Sequence, residues 1–417
     1  MRTRTVVWHI HRRSSTVRRR TKIPAMPRKL RIALVCTAYP PEDGGGIGTY
    51  TEALATGLVA LGQEVHVLAA SIADTEEQRG GVCLHRMRRR HLPRIERHLP
   101  GLVWSAQVAR CLRAISRNAP LDVVEFPNWE GPGLVYTLAP RRAPVVTRLH
   151  TPFFETLSLD SGGRPPALGD RIVCWLEARA VRRSDHLTSS TVHHRKMMSR
   201  AYGIGEARVE ILPLGIPLPR VEDMSSLPPS RPPRVLYVSR LEHRKGTLSF
   251  LEAIPQVMAA VGSVEFVLVG RDRPHAPGGK KFADYFHHRY PALAGSVSFL
   301  GFVGADELAQ HYQSCDLFVV PSQYESFGLI FLEAMARGKP VIGCRAGGMI
   351  EVIADGETGY LTPVGDTGAL VGKMVTLLRD AELRRRMGLA ARHRVEQKFS
   401  AEIMAQRSLA LYQRLAP

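Results

Sequence analysis

The sequence predicts an α/β protein of two domains, each with a parallel sheet covered by helices. The chain has 417 residues, a length that suggests two or three units with substantial cores. Two series of alternating strand and helix patterns run from about 28 to 212 and from about 234 to 394, separated by a Pro- and Ser-rich stretch. The apolar run CDLFVV at 315–320 is typical of a strand buried on both faces of a parallel sheet.

The predicted organisation has five parts: a basic extension at 1–27, an amino-terminal domain at 28–216, a linker at 217–233, a carboxyl-terminal domain at 234–394 and a terminal helical segment at 395–417.

In the amino-terminal domain, the first strand is predicted at 31–37 (RIALVCT). A loop at 40–46 with three adjacent glycines leads from it into a helix at 47–61. Glycine has no Cβ, so such a loop can approach a ligand closely, although a run of Gly is also typical of a flexible turn. A later strand at 143–149 ends at His150.

In the carboxyl-terminal domain, the segment RVLYVSRLEHRKG at 234–246 predicts a strand followed by a loop that carries Arg240 and Lys245, and then a helix from about Thr247. A guanidinium fork and an ammonium at the carboxyl end of a strand suit a leaving diphosphate. An ordinary solvated basic loop would have the same composition.

Two carboxylates eight positions apart surround the next helix start. Glu325 follows the strand at 315–320, and Glu333 lies about a turn and a half into a helix predicted over 328–338. Both can face the crevice at the carboxyl end of the sheet, where open α/β folds bind ligands. We therefore expect these carboxylates to accept hydrogen bonds from hydroxyl groups of a ligand.

The backbone between the two carboxylates predicts an anion site. The amides of Phe327, Gly328 and Leu329 form a helix N-terminus aimed at the same crevice, and Gly328 has no Cβ to keep a phosphate away. Gly-rich turns follow at Ala346-Gly347-Gly348 before Glu351, at Asp355-Gly356 and at Thr358-Gly359. A diphosphate flanked by hydroxyl-bearing groups is the layout of a nucleotide-sugar.

These motifs resemble those of the retaining GT-B glycosyltransferases of family four, also called the group 1 glycosyltransferases. The resemblance extends from about 30 to 415 and is most specific over 239–361. It implies two Rossmann-like domains with a cleft between them, and a terminal helix that packs back on the amino-terminal domain. In the E-x7-E motif of the family, Glu325 would contact the donor sugar and Glu333 the ribose.

The resemblance assigns further roles residue by residue. Arg240 and Lys245 match the basic pair on the donor diphosphate, and the strand end Gly301-Phe302-Val303 matches the base-binding segment. In the amino-terminal domain, His150 matches a histidine that contacts the donor sugar. The glycines that match the loop beside the donor phosphates are Gly45, Gly46 and Gly48.

Two segments of the amino-terminal half, at 213–217 and 125–131, have unusual composition. The family often has an Asn-Gly-hydrophobic-Asp element at the entry to the linker, where this chain reads PLGIP at 213–217, so a polar side-chain contact there is in doubt. The strand end at 125–131 is polar and aromatic. Trp129 within it is a candidate to stack on an acceptor sugar, although aromatic residues more often pack in a core.

The net charge of +19 is unevenly distributed, because residues 1–29 contain ten Lys or Arg and no acid. This tail lacks the apolar segment of a secretory signal and only loosely resembles a transit peptide. Met26 directly precedes the first strand region. We expect Met26 to be the true start, or the tail to be a disordered arm.

A second basic cluster falls between a short strand and the helix that begins near Leu102. One interpretation of this cluster is a solvated loop without a partner. The other is a contact with anionic lipid or with a phosphorylated acceptor. Nucleic acid is not an expected partner, because no nucleic-acid-binding fold accompanies the charge. The cluster consists of Arg86, Arg88, Arg89, Arg90, Arg94 and Arg97, with His85, His91 and His98.

Cysteine and metal-ligand patterns exclude other classes. The six cysteines are scattered, with no C-x2-C pair, which is typical of reduced thiols in a cytoplasmic protein. No apolar run approaches the length of a membrane span. The chain has neither Asp-x-Asp nor a His/Cys ligand array, so we expect no metal, with Arg240 and Lys245 supplying the positive charge instead.

The sequence thus predicts a cytoplasmic, metal-independent, retaining glycosyltransferase without a cofactor, with peripheral placement at the inner face of a membrane as the second option for its location. Its donor would be a nucleotide-sugar, and its acceptor a sugar, a lipid-linked molecule or a small molecule. One alternative is a GT-B phosphorylase or sugar-nucleotide epimerase. Detection of glycosyl transfer to a non-phosphate acceptor would exclude this alternative. Another alternative is a non-catalytic sugar-nucleotide-binding or scaffold protein. The joint presence of the charged motif residues Arg240, Lys245, Glu325 and Glu333 argues against it.

Overall fold

A computed structural model describes residues 28–42, 45–90, 92–96, 98–160, 167–220 and 232–417. The basic extension at 1–27, Met26 within it, and most of the linker predicted at 217–233 lie outside these residues. So do His91 and Arg97 of the basic cluster.

The amino-terminal half forms one eight-stranded sheet in the order β3-β4-β2-β1-β5-β6-β7-β8. Only the β3–β4 pair is antiparallel. The central strands β1, β5 and β6 are almost completely buried, as expected for parallel strands covered by helices. The strands are β1 (Arg31–Cys36), β2 (Glu64–Ser71), β3 (Thr75–Arg79), β4 (Val82–Arg88), β5 (Val123–Pro127), β6 (Val145–Leu149), β7 (His186–Ser189) and β8 (Val209–Ile211).

The helices described in this half are α1 (Gly45–Ala60), α2 (Pro93–Glu96), α3 (Leu102–Asn118), α4 (Leu134–Thr137), α5 (Phe153–Asp160), α6 (Leu168–Arg183) and α7 (Val192–Tyr202).

The carboxyl-terminal half forms a second, fully parallel sheet of six strands in the order β11-β10-β9-β12-β13-β14. Strands β10 and β11 lie on one side of β9 and strand β12 lies on the other, so the order in which strands are added to the sheet reverses between β9 and β12. In open α/β sheets, such a switch point opens a crevice at the carboxyl ends of the strands. The strands are β9 (Arg234–Val238), β10 (Glu265–Val269), β11 (Val297–Gly301), β12 (Leu317–Val319), β13 (Val341–Cys344) and β14 (Gly359–Thr362).

The helices of this half are α8 (Thr247–Val261), α9 (Phe282–Arg289), α10 (Ala305–Ser314), α11 (Leu329–Met335), α12 (Met349–Val352), α13 (Thr367–Arg379), α14 (Ala381–Lys398) and α15 (Ala401–Leu415).

Helix α11 is shorter than the span of 328–338 predicted from the sequence. Gly328 has φ +98°, a left-handed conformation that lies outside a right-handed helix, so the helix begins one residue later. At the other end, Gly338 has φ +69° and its amide donates to the carbonyl of Met335, which closes the last turn.

Helix α15 returns to the amino-terminal domain and packs on α1. Gly57 lies so close to α15 that an added Cβ would be 2.6 Å from the Cβ of Ala405. The two chain crossings between the domains run side by side, because the amide of Ile216 donates to Phe399 and the amide of Ala401 donates back to Ile216. The segment at 213–217, which departs from the family pattern, therefore makes backbone contacts here.

Candidate active site

The loops that follow β9 and β12 meet at a buried ion pair. The Nζ atom of Lys245 lies 2.6 Å from Oε1 of Glu325, and the Ser322 hydroxyl donates to the same oxygen at 2.8 Å. The two charged side chains are 11% and 12% exposed. Gly246 has φ +69°, and a Cβ there would clash with the carbonyl of Pro321, so glycine allows the loops to approach.

Burial and charge act on both members of this pair. Burial by itself would raise the pKa of Glu325, but the Lys245 ammonium, the Arg244 guanidinium and the Ser322 hydroxyl together outweigh it and hold that pKa below its usual range. Burial lowers the pKa of Lys245, and the Glu325 carboxylate opposes this change. A carboxylate with a depressed pKa is ionised at neutral pH, so the site pairs an anion with a neighbouring cation.

Arg240 lies beside a different partner from Lys245. Its Nη1 atom is 2.9 Å from Oε1 of Glu242, and its side chain is 49% exposed. Arg244, which the motif analysis did not single out, lies 3.8 Å from the same carboxylate and donates to the carbonyl of Tyr324 at 3.4 Å. The loop after β9 therefore contributes three cations to this edge of the sheet. Lys245 is buried, and Arg240 is half-exposed.

The start of α11 follows directly after Glu325. The side chain of Phe327 is buried and packs edge-on against Phe399, so only its backbone can face the crevice. Within the described residues, no backbone carbonyl accepts from the amides of Phe327, Gly328 or Leu329. A Cβ placed on Gly46 of α1 would lie 3.9 Å from Leu329, which shows that the two helix starts face each other across the domains.

Glu333 lies half-buried on α11, apart from the Lys245 pair. Burial raises the pKa of its carboxyl group, with Tyr312 and Arg337 acting in the opposite direction. The Tyr312 hydroxyl, on α10, is buried beside this carboxyl group. A carboxylate and a hydroxyl thus lie together on one side of the helix start.

The strand end after β11 carries an exposed aromatic ring. Phe302 is 65% exposed, and the guanidinium of Arg271 lies 5.3 Å from its ring centroid. Val303, next to it, packs against the core, and Gly301 has φ +71°. Of the three predicted base-binding positions, only Phe302 presents a large surface to solvent.

His150 lies at the end of β6, on the amino-terminal side of the cleft. Its backbone amide donates to Oδ1 of Asn128 at 2.6 Å, and its ring stacks edge-on against Tyr50 at 5.4 Å. Burial, reinforced by the neighbouring Arg148 guanidinium, lowers the pKa of His150 to about 3. The imidazole is therefore neutral at physiological pH.

The predicted glycine loop leads into α1. Gly45 has φ +54° and is the first residue of the helix, two residues earlier than predicted, and Gly46 follows it on the surface. Gly48 is buried, and a Cβ there would lie 2.8 Å from the carbonyl of Ala38. Gly48 thus serves packing, whereas Gly45 and Gly46 face outward.

Direct contacts join the two domains at the Glu325 loop. The carbonyl of Ser326 accepts from the hydroxyls of Ser190 at 3.4 Å and Thr191 at 3.3 Å, and its hydroxyl lies 3.3 Å from that of Thr151. These hydroxyl groups carry no sequence signal of their own, because only the docking of the domains brings them to the loop.

A further contact joins the domains at the start of α7. The carboxylate of Glu351, on α12, accepts from the amides of Val192 and His193 at 3.1 Å each. Glu351 follows a Gly-rich turn in the sequence, and nothing in its local pattern indicates this partner.

Comparison with known proteins covers nearly the whole chain. Residues 221–394 match the profile described as glycosyl transferases group 1, and residues 44–220 match the profile of glycosyltransferase family 4. D-inositol 3-phosphate glycosyltransferase of Paenarthrobacter aurescens is 30% identical over 373 residues, which cover 84% of this chain and 89% of that protein. The chain belongs to the group 1 glycosyltransferases. The predictions of the family and of an enzyme of the hexosyltransferase class are thereby confirmed.

Solved structures confirm the GT-B fold of this glycosyltransferase. Sucrose-phosphate synthase from Thermosynechococcus elongatus superimposes with a TM-score of 0.75 at 24% identity, over 93% of this chain and 99% of that one. Anabaena HepE in complex with UDP and glucose superimposes with a TM-score of 0.70 at 19% identity, over 93% and 100% of the two chains. At these identities, the likeness concerns the fold.

The basic cluster of the glycosyltransferase is less uniform than predicted. Arg86 and Arg88 belong to strand β4 rather than to a loop. The side chain of Arg86 is 10% exposed, donates to the carbonyls of Tyr39 and Pro40, and pairs with Glu77. The sequence prediction for Arg86 was wrong, because a strand position facing the 39–42 loop buries it.

Arg89 also contacts other side chains of the protein, whereas its neighbours Arg88 and Arg90 are exposed. Its Nη2 atom lies 2.5 Å from Oε2 of Glu130, and its guanidinium lies over the ring of Trp104. Arg88 and Arg90 have exposed side chains. Arg88 and Arg90 therefore remain candidates for a surface contact.

In the described part of the chain, no group of three or more His, Cys, Asp or Glu side chains is arranged to hold a metal ion. None of the helices described is long and apolar enough to cross a membrane.

Proposed function

We propose that this glycosyltransferase moves a sugar from a nucleotide-sugar to an acceptor hydroxyl with retention of the anomeric configuration. The observation that carries the proposal is the buried Lys245–Glu325 pair at the edge where the two domains meet. A cation in a nearly dry site stabilises negative charge that develops on a leaving diphosphate far better than a solvated cation would.

The donor site is assigned to the carboxyl-terminal domain. Lys245 and Arg240 bind the diphosphate together with the amides of Phe327, Gly328 and Leu329, while Gly45 and Gly46 approach from the opposite helix start. Glu333 accepts from the ribose hydroxyls. The base lies on Phe302 and the adjoining backbone of Val303. Exposure of Phe302 and the carboxylate–hydroxyl pair of Glu333 and Tyr312 support these assignments.

In the transfer step, the protein acts mainly by positioning the donor and the acceptor, and it does not need to supply an acid or a base. The acceptor oxygen forms a bond to the anomeric carbon as the bond from that carbon to the diphosphate breaks, and the acceptor proton passes to a diphosphate oxygen on the same face. Glu325 contacts the donor sugar, and neutral His150 accepts or donates one hydrogen bond on its other side. The reaction then needs neither a metal nor a cofactor, since Lys245 and Arg240 balance the diphosphate charge.

The acceptor is assigned to the amino-terminal domain, as a sugar, a lipid-linked molecule or a small molecule. The relative named above acts, by its name, on D-inositol 3-phosphate. All six cysteines lie in the described residues and are free, which supports work in the reducing cytoplasm. The exposed Arg88 and Arg90 support peripheral contact with an anionic membrane surface, and nucleic acid is not proposed as a partner.

The test begins with a thermal-shift screen of UDP-, GDP- and ADP-sugars. A ligand at 100 times its Kd stabilises the protein by about 2.7 kcal/mol, which separates the donor from its analogues. Products made with that donor are then examined by NMR for the anomeric configuration. Inversion would overturn the retaining mechanism, and transfer only to inorganic phosphate would favour a phosphorylase.

A further inference from the structure

A buried carboxylate on α6 collects hydrogen bonds from two loops of the amino-terminal domain. Glu177 is 1% exposed. Its oxygens accept from Nδ2 of Asn128 at 2.7 Å, from the amide of Glu130 at 3.3 Å and from the amide of Phe153 at 3.3 Å. The hydroxyl of Tyr202, on α7, donates to the same carboxylate.

Asn128 and Glu130 belong to the loop that follows β5, and Phe153 begins α5 directly after the loop that follows β6. Asn128 also links the loops directly, because its Oδ1 atom accepts from the amide of His150 at 2.6 Å. The first loop passes so close to α6 that a Cβ on Gly131 would lie 3.0 Å from the backbone of Glu177. The two loops are thus tied to each other and to one point on the helix.

The first loop carries an unusual backbone conformation at this point. Glu130 has φ +61°, in the left-handed region that non-glycine residues rarely adopt. Its amide is held by Glu177, and its carboxylate pairs with Arg89. Strain of this kind persists only where surrounding contacts over-determine it, and it is concentrated at functional sites.

Two aromatic side chains meet where these segments come together. Trp129 of the first loop and Phe153, at the start of α5, meet edge-on with centroids 5.3 Å apart, and both are partly exposed. His150 begins the second loop. A shift of one loop against the other would therefore move this aromatic pair relative to His150.

We infer that Glu177 is a positioning residue, which fixes the two loops so that His150 and the Trp129–Phe153 pair form a single acceptor surface. This inference rests on the proposed function of the cleft. Burying a carboxylate costs free energy unless donors compensate it, so an apolar side chain would serve packing alone better. Four donors, three of them from the segments that follow β5 and β6, give this buried carboxyl group a use that packing does not require.

The first test measures loop protection without using activity. In Glu177→Gln, an amide nitrogen replaces one acceptor oxygen and cannot accept from the loop amides. Hydrogen exchange of peptides covering 128–131 and 150–153 should become at least tenfold faster. Asp170→Asn is the matched control, since it changes another carboxylate of α6, one that accepts from the amide of Ala167 and contacts neither loop in the described residues. It should leave exchange in both peptides near the wild-type rate.

The second test measures transfer with the donor found for the wild-type protein. Glu177→Gln and Asn128→Ala should each lower kcat/KM for the acceptor at least tenfold, while the affinity for the free nucleotide stays unchanged. Asn128→Ala provides a second route to the same result if Glu177→Gln folds poorly. Wild-type exchange rates in Glu177→Gln, or faster exchange with unchanged kinetics, would overturn the inference. Failure of the wild-type protein to bind any nucleotide-sugar would instead contradict the proposed function, and exchange rates would still decide the loop contact.

Discussion

The Lys245 ammonium lies 2.6 Å from the Glu325 carboxylate although 80 positions separate them in the chain. Strands β9 and β12, which precede the two residues, are neighbours in the sheet, whereas β10 and β11 lie on the far side of β9. Both loops consequently leave the same edge of the sheet. The pair is nearly buried, so its two members contribute to stability as well as to the proposed chemistry.

Removal of Lys245 should therefore affect both folding and transfer. Lys245→Ala leaves the Glu325 carboxylate buried without its cation, and we expect the free energy of unfolding to fall by about 3–5 kcal/mol. Arg240→Ala removes a half-exposed side chain and should cost less than about 1 kcal/mol. Urea denaturation compares the two variants, both of which should lack transfer activity. Equal stability losses would contradict the burial of Lys245, and normal activity in both would contradict the diphosphate assignment.

The two carboxylates of the E-x7-E motif should have separable roles. Glu333→Gln is expected to weaken binding of the free nucleotide about tenfold, because a hydrogen bond to a charged group is worth about 1.5–3 kcal/mol. Glu325→Gln should leave that affinity nearly unchanged and lower kcat instead. Calorimetric titration with the nucleotide and steady-state kinetics measure the two effects. A wild-type Kd in Glu333→Gln would show that its carboxylate does not bind the ribose.

The contact between Glu351 and the start of α7 should hold the domains together. Glu351→Ala removes the acceptor of two amide hydrogen bonds, so the free protein should show a larger radius of gyration in X-ray scattering. We expect kcat to fall about tenfold, which corresponds to about 1.4 kcal/mol in the barrier. Glu357→Ala, at an exposed position of the same domain, is the control. An unchanged scattering curve for Glu351→Ala would show that this contact does not hold the domains.

Stability should depend on pH through Glu177. Burial raises the pKa of this carboxyl group to about 7, above its ordinary value of 4.5. The folded state thus binds more protons than the unfolded state between these values, and the contribution of this group is complete below pH 4.5 and is lost as pH rises through 7. The stability of the wild type relative to Glu177→Gln should fall by up to about 3 kcal/mol from pH 4.5 to 8. A difference that stays constant with pH in denaturation experiments would contradict the raised pKa.

The basic cluster should act through its exposed members. Replacement of Arg88 and Arg90 by Ser should reduce co-sedimentation with vesicles that contain anionic lipid, without changing nucleotide affinity. Binding of the wild type should weaken with salt, as the Debye length shortens from about 10 Å at 0.1 M to about 3 Å at 1 M. Replacement of Arg385 and Arg386 by Ser, two exposed residues on α14 of the other domain, is a matched control for charge. Equal sedimentation with neutral and anionic vesicles would favour a soluble acceptor.

Local patterns in the sequence were sufficient for the classification. Period and turn residues indicated the strand at 234–238 and the helix from Thr247, and the spacing of Glu325 and Glu333 carried the resemblance to the family. The family and the GT-B fold predicted in this way are confirmed. These features are local because hydrogen bonds and backbone conformation within a segment depend on neighbouring residues.

Only the tertiary structure decided which side chains meet. The order of strands in a sheet depends on crossover connections and not on position in the chain, so the Lys245–Glu325 contact has no local signal. Arg86 is buried because β4 faces the 39–42 loop, and Glu177 gathers its donors because two loops end at the same edge of the sheet. Burial and pairing are properties of packing between distant segments, and packing sets the pKa values and the geometry on which the proposed chemistry depends.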